Sequence, residues 1–324
     1  MSRTKKILAV TLLVVAVYGA ILLWGDVSKL GDALSRYAWW TFAVSLALAL
    51  SNYLLRFLKW QYYLARLEVK GIPWVESLTI FLSGFVMSIT PAKAGEVFKS
   101  ALLASAHGVP MARSAPIVVA DRLTDLVSLI IIVAVGGIYF QGGWIPASIA
   151  TAMVTTLMVF VLVPSLGEAV IRVGERFAIG RKLAPKLRDA YAALRLLAGP
   201  SALVLPTLLS VVAWGCECLG LWMILYGLGH PVSAPVAFFV YATATIAGAV
   251  AMLPGGVGGT EATMIGLLLT LSHGAIEEPV AKAATVLVRL ATLWFAVFIG
   301  ALALAYFRRN FDRGLIEAEA AKSG

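Results

Sequence analysis

Charge is scarce in this sequence. Of its 324 residues, 13% are Asp, Glu, Lys or Arg, against about 25% in an ordinary soluble domain. Apolar residues make up 60%, and they gather into runs long enough to cross about 30 Å of hydrocarbon. A soluble globular fold is thereby excluded. Cysteine is nearly absent: Cys216 and Cys218 lie two apart in one apolar run and point to nearly opposite sides of a helix. That spacing suits neither a mutual disulfide nor a shared metal. The histidines, His107, His230 and His273, sit at segment ends without ligand spacing. No P-loop, dinucleotide fingerprint or HExxH motif occurs. No metal and no cofactor is therefore expected.

Acidic residues are outnumbered, 17 to 26, which leaves a net charge of +9. A nucleic-acid partner does not follow, because the basic residues sit in the connections between apolar runs, where they orient a membrane protein. The predicted apolar segments are Ile7–Trp24, Trp39–Phe57, Ser77–Thr90, Ser114–Phe140, Ile145–Val163, Ala202–Tyr226, Val236–Leu253 and Ala283–Phe307. The first resembles a signal peptide but lacks a small-residue cleavage site, so it reads as a retained helix. Val97–Ala106 and Ala262–Leu271 follow Gly/Pro breaks and are too short to span alone. They read as second halves of broken or re-entrant helices. Between them, residues 165–200 carry seven Lys or Arg residues among interleaved apolar ones, the pattern of surface-lying amphipathic helices.

With each broken pair entering and leaving on one side, the charge asymmetry places both termini in the cytoplasm. The loop holding Lys59, Arg66 and Lys70, the basic linker, and Arg308, Arg309 and Arg313 then fall inside. Lys29, Arg36 and Lys282 fall outside. A multi-pass protein of the cell's cytoplasmic (inner) membrane is expected.

The chain also repeats itself. Ser88 to Glu96 (Ser-Ile-Thr-Pro-Ala-Lys-Ala-Gly-Glu) and Ala251 to Glu261 (Ala-Met-Leu-Pro-Gly-Gly-Val-Gly-Gly-Thr-Glu) each interrupt an apolar stretch, and each is followed by a helix with an arginine near its start. Glu96 precedes Arg122 by 26 residues, and Glu261 precedes Arg289 by 28. A buried-looking polar group precedes each unit: Asn52 and Arg56 in the first, Glu217 in the second. Three crossings separate the copies, so the second enters the membrane the opposite way up, a pattern common in transporters. The expected fold is all-α: a polytopic membrane protein with two inverted repeats, at about 39–140 and 201–307, each containing a broken or re-entrant helix pair.

Pro91 and Gly95 in the first break, and Pro254, Gly255, Gly256 and Gly258 in the second, remove or free backbone groups. Unpaired backbone is costly in hydrocarbon, so such breaks are expected to line a protein or water-filled cavity. The amides opening the following short helices would then face an anion. Glu96 with Arg122 and Glu261 with Arg289 form the expected ion pairs. Two readings of them stay open: structural pairs that fix packing, or arginines that meet a phosphate with glutamates that balance or gate them. Lys93 and Lys99 add positive charge to the first break, which suggests capture of an anionic headgroup from the cytoplasmic side; snorkelling to the interface is the alternative. Asp121 and Asp125 share a helix face, and Asp125 can pair with Arg122. Glu96 or Glu261 is the expected group for any proton coupling.

Several of these pieces resemble one family. Arg56-x-x-Lys59-Trp60, Thr90-Pro91-x-Lys93-x-Gly95-Glu96-x-x-Lys99, Asp121-Arg122-x-x-Asp125 and Pro254-Gly255-Gly256-x-Gly258-x-x-Glu261 are similar to the lysylphosphatidylglycerol synthase transmembrane-region family, the MprF-type flippase-like domain. The resemblance covers about residues 40 to 307. It implies movement of a membrane lipid between leaflets, with Arg56, Lys93, Glu96, Lys99, Arg122, Asp125 and Glu261 at motif positions; Arg289 enters through the repeat. The sequence ends at Gly324 without the aminoacyl-transferring domain, so lipid aminoacylation is not expected, and the chain is read as a transporter, not an enzyme. Two alternatives stand beside a flippase: an intramembrane enzyme acting on a polyprenyl phosphate lipid, and a non-transporting partner of a glycosyltransferase or lipid synthase. Expected partners are a membrane lipid substrate, a glycosyltransferase or lipid-modifying enzyme, and a second copy of the chain.

Overall fold

A computed structural model describes residues 31, 34–90, 94–139, 163–176, 178–197 and 199–311, with isolated positions between 145 and 159. The predicted first crossing, most of Ile145–Val163, Pro91, Lys93 and Arg313 lie outside the described residues. Among those described there is helix and no strand, as an all-α fold requires.

Helix α1 (Trp39–Arg66) sorts its residues by face. Ser45, Ala49, Asn52, Tyr53, Arg56, Lys59, Trp60 and Tyr63 recur at three- and four-residue spacing and are buried, while Leu50, Leu54 and Leu58 point outward. Polar groups inward and leucines outward is the arrangement hydrocarbon demands, since a charge facing lipid is costly. The helix also runs nine residues past the predicted end at Phe57. Lys59, expected in a cytoplasmic loop, is instead completely buried in this helix.

The chain continues through α2 (Trp74–Ser83) into a 3-10 segment (Gly84–Ile89), then a second 3-10 turn (Ala94–Val97), α3 (Phe98–His107), the short α4 (Met111–Ser114) and α5 (Pro116–Gly137). The basic linker folds as α6 (Pro164–Gly174) and α7 (Ala178–Leu197), with Arg188 bonded to Glu168 at 3.3 Å and to Glu175 at 2.9 Å. Then come α8 (Pro200–Gly227), α9 (Ala234–Val250), α10 (Gly259–Leu271) and α11 (Glu278–Arg289). A π-helical turn (Leu290–Trp294) joins α11 to α12 (Phe295–Asn310) without a loop. Lys282, predicted in an outside loop, lies in α11 and pairs with Glu278 at 2.6 Å.

Among the described residues, three helical stretches are long and apolar enough to cross a membrane: Trp39–Arg66, Ala202–Gly227 and Glu278–Asn310. Helices α1 and α8 pack along one another, pinned where Asn52 donates to the Ala213 carbonyl (2.8 Å) and Ser45 to that of Gly220 (3.1 Å). One apolar core gathers residues of α5, α8, α9, α10 and α11; a second gathers those of α1, α2, α3, α5 and α12, together with Leu194 and Leu197 of α7 and Leu203 of α8. The 3-10 segment after α2 sits tightly on α12: a Cβ at Gly300 would come within 2.6 Å of the Val86 amide. The first broken element is thus held by packing against α12.

Candidate functional site

The second break shows how irregular backbone is satisfied among apolar helices. Gly255, Gly256 and Gly258 all take positive φ (63, 68 and 93°), conformations that L side chains strain to reach. The turn presents its Gly255 carbonyl to Arg289, whose Nη2 donates to it at 2.7 Å. Arg289 Nε donates to Glu261 at 2.7 Å, and the other carboxylate oxygen of Glu261 accepts the Gly258 amide at 2.6 Å. One carboxylate therefore caps α10 and holds the arginine. The Gly258 amide, just before the start of α10, is taken by the chain's own Glu261.

The first break holds a larger cluster. Glu96 meets Arg122 at 3.0 Å, as the repeat predicts, and Lys99 at 3.5 Å. Arg122 also reaches Asp121 (3.0 Å) and Asp125 (3.4 Å). From α1, Arg56 lies 3.0 Å from Asp121 and 3.5 Å from Asp125. Lys59, one turn further on, lies 2.7 Å from Asp121 and 2.8 Å from Asp125, and it also donates to Ser210 of α8. Ser210 donates in turn to Asp125 at 3.0 Å. Four cations and three carboxylates thus share one buried network. In such a low-dielectric setting each charge depends on its neighbours, because removing a partner strands the rest.

Between the two breaks lies a cavity of about 320 Å³. Ser88 and Thr90 line it from the first break, and Leu253, Gly255 and Gly256 from the second. Its charged wall comprises Arg56, Arg122, Asp125, Glu217 and Arg289. Arg122 presents itself most: 25% of its side-chain surface is accessible, against 6% for Arg56 and 10% for Arg289. The Nε of Arg122 and that of Arg56 are buried without an acceptor. Glu217, on α8, accepts a hydrogen bond from the Tyr241 hydroxyl of α9.

Not every residue picked from the sequence reaches this cavity. Arg56, Arg122, Asp125, Arg289, Gly255 and Gly256 line it. Glu96 and Glu261, each 1% accessible at the side chain, stand behind their arginines. Lys99 neither lines the cavity nor snorkels outward: it is buried, with its ammonium 5.4 Å and 5.2 Å from the Trp60 and Phe81 rings. Pro254 and Gly258 shape the turn without lining the cavity, and Gly95 belongs to the 3-10 turn before α3. Sequence reasoning missed Lys59 and Asp121 as network members, and Tyr241 as the partner of Glu217. A signal for the first two was available: Arg56 and Lys59 are three apart, and Asp121 and Asp125 four apart, on two apolar helices. Opposite charges placed so sparsely need one another. Among the described residues, no group of three or more His, Cys, Asp or Glu could hold a metal ion.

Comparison with known proteins agrees with a membrane protein. A family model described as the lysylphosphatidylglycerol synthase TM region matches residues 8–300. The chain is similar to two UPF0104 membrane proteins of Methanothermobacter thermautotrophicus. One is 25% identical over 72% of this chain and 75% of the relative. The other is 22% identical over 87% of this chain and 88% of the relative. A UPF0104 membrane protein of Methanocaldococcus jannaschii is 23% identical over 73% of this chain and 75% of its own length.

Proposed function

This chain belongs to the lysylphosphatidylglycerol synthase TM region family, and from that membership we propose that it moves an anionic phospholipid or polyprenyl-linked lipid between the leaflets of the membrane. It acts as a transporter and not as an enzyme. One observation carries the reading: a single cavity of about 320 Å³ is lined by Arg122, by Arg289 and by backbone of both breaks. That volume lies at the small end of ligand pockets, which run from roughly 300 to 1,000 Å³. It suits a polar headgroup whose acyl or prenyl tails stay in the bilayer.

The headgroup phosphate meets Arg122 first, because its side chain is the most accessible of the cavity arginines. Arginine's planar fork suits phosphate oxygens. The two broken-helix units act as inverted repeats around this cavity and open it to each side in turn. The protein lies in the cytoplasmic membrane with both termini in the cytoplasm, where α6 and α7 bring basic charge to the anionic leaflet. A glycosyltransferase or lipid-modifying enzyme supplies or consumes the lipid, and the chain works in the membrane alone or as a homo-oligomer.

The test is a vesicle assay in which fluorescent phosphatidylglycerol in the outer leaflet is bleached by a membrane-impermeant reductant. Wild-type protein is expected to expose inner-leaflet lipid to the reductant, and the Arg122→Ala, Arg289→Ala double variant to lose that exposure. Wild-type rates in the double variant overturn the site assignment.

A further inference from the structure

Almost all of the cavity wall is shut away from the surroundings. Among the described residues that line it, Ala249 and Leu253 alone are exposed; the rest are buried or half-buried. These two stand four apart where α9 ends, and they bracket Val250, Ala251 and Met252, which are exposed as well. The exposure is large: 52% for Val250, 62% for Met252 and 41% for Leu253. A helix that merely faces lipid shows it one side, as α1 does with Leu50, Leu54 and Leu58. Five apolar residues exposed in succession are more than one side of a helix, and such a patch marks contact with something apolar. The chain also bends sharply here, with Met252 at a φ of 50°, uncommon for a residue with a side chain.

The two breaks give this cavity different chemistry. The first contributes the hydroxyl side chains of Ser88 and Thr90. In the second, residues 246–257 include no polar or charged side chain, so the end of α9 offers hydrocarbon and backbone only. Leu253 is backed by glycine: its Cδ1 lies 3.7 Å from where a Cβ at Gly259 would stand, and 3.9 Å from that at Gly258. No side chain at either position crowds it. A cavity of about 320 Å³ holds a headgroup and not the chains attached to it. Those chains avoid water and charged walls alike, and the apolar, exposed rim at residues 249–253 is the way out that the described wall provides.

We propose that residues 249–253 form the lipid's tail site: the hydrocarbon chains of a bound lipid leave the cavity over Ala249 and Leu253 and lie along Val250 and Met252, while the phosphate stays at Arg122. This rests on the reading that a lipid headgroup occupies the cavity, and it adds where the rest of the lipid goes. The ligand of the strip is a long hydrocarbon chain, acyl or prenyl, joined to a phosphate. Its chains exchange one hydrocarbon setting for another, so the strip adds little affinity. It fixes the path of the chains instead.

The test uses the purified full chain in phosphatidylcholine nanodiscs with two probes, phosphatidylglycerol and a polyprenyl phosphate, each carrying a photoreactive diazirine in its chain. After illumination, mass spectrometry of the digested protein reads where each chain attaches. The mole fraction of probe is held fixed while phosphatidylcholine is replaced by the same lipid without the diazirine. Adducts on Leu50, Leu54 and Leu58 report bulk lipid and are expected to stay constant. Adducts on residues 249–253 are expected to fall several-fold for at least one probe, and the probe that responds tells acyl from prenyl chains. Adducts there that are missing, or that resist competition with both probes, overturn the inference. The wild type alone decides this. In Arg122→Ala the competed adducts are expected to disappear; their persistence sinks instead the phosphate site at Arg122 and leaves the tail path standing.

Discussion

Lys59 of α1 and Asp125 of α5 meet at 2.8 Å in a spot where the lysine has no solvent-accessible surface. The pair ties the first long helix to the helix that carries Arg122, and Ser210 brings in α8. Three elements thus converge on one ammonium group, although none of them is adjacent in sequence to another.

Replacing that ammonium is expected to be severe. Lys59→Met leaves Asp121 and Asp125 with Arg56 and Arg122 alone and removes the bond to Ser210. Breaking a buried pair from one side costs about 3–5 kcal/mol. Thermal unfolding in detergent should show a large loss. A Lys59→Met, Asp125→Leu double variant, which removes both charges, should recover much of it.

Two of the cavity arginines, Arg122 and Arg289, should separate stability from function. Arg122→Ala takes a partner from Glu96, Asp121 and Asp125, but its guanidinium is a quarter open to the cavity, where water can replace it, so the variant should lose less stability than Lys59→Met. Arg289→Ala strands Glu261 and also frees the Gly255 carbonyl, so it should lower the melting temperature clearly. Both variants are expected to lose lipid binding. Equal destabilisation of the two would mean that water does not replace the Arg122 guanidinium in its cluster.

Helix α9 leaves no room beside the second break. A Cβ at Gly248 would overlap Thr260 Oγ1. Gly248→Ala is therefore expected to cost about 1–3 kcal/mol, the usual penalty of overpacking. Adding Thr260→Ala, which removes the clashing hydroxyl, should restore part of the melting temperature. A neutral Gly248→Ala would show that α9 and α10 pack less closely than described.

The linker supplies a contrast. Arg188 bridges Glu168 and Glu175 on the outside of α6 and α7. Exposed ion pairs contribute little because water and salt screen them. Arg188→Ala should leave the melting temperature unchanged at physiological salt, whereas a drop comparable to that of Lys59→Met would mean that this ion pair is not screened.

Much of this was legible in the sequence because its signals are local or one-dimensional. Apolar runs marked α1, α8 and the α11–α12 stretch, because chain length against bilayer thickness is a property of the string itself. The Glu–Arg pairs at 96/122 and 261/289 were legible because rare charges at matched offsets have few partners to choose from. The end of α1 was not, since Lys59 next to Arg66 and Lys70 looks like an ordinary cytoplasmic loop until Asp121 and Asp125 are placed beside it. Likewise Lys99 looked ready to bind or snorkel, and the folded chain buried it under Trp60 and Phe81 instead.

The sequence by itself determined that this chain is an all-helical membrane protein interrupted twice by Gly/Pro turns, because hydropathy, helix length and backbone permissiveness are written residue by residue. Tertiary structure alone decided which charges share a cavity. Burial converts a sparse list of ionisable residues into one network behind a cavity wall that also carries Arg289 and Glu217. Electrostatic balance is a property of the space between helices, and no single helix carries it.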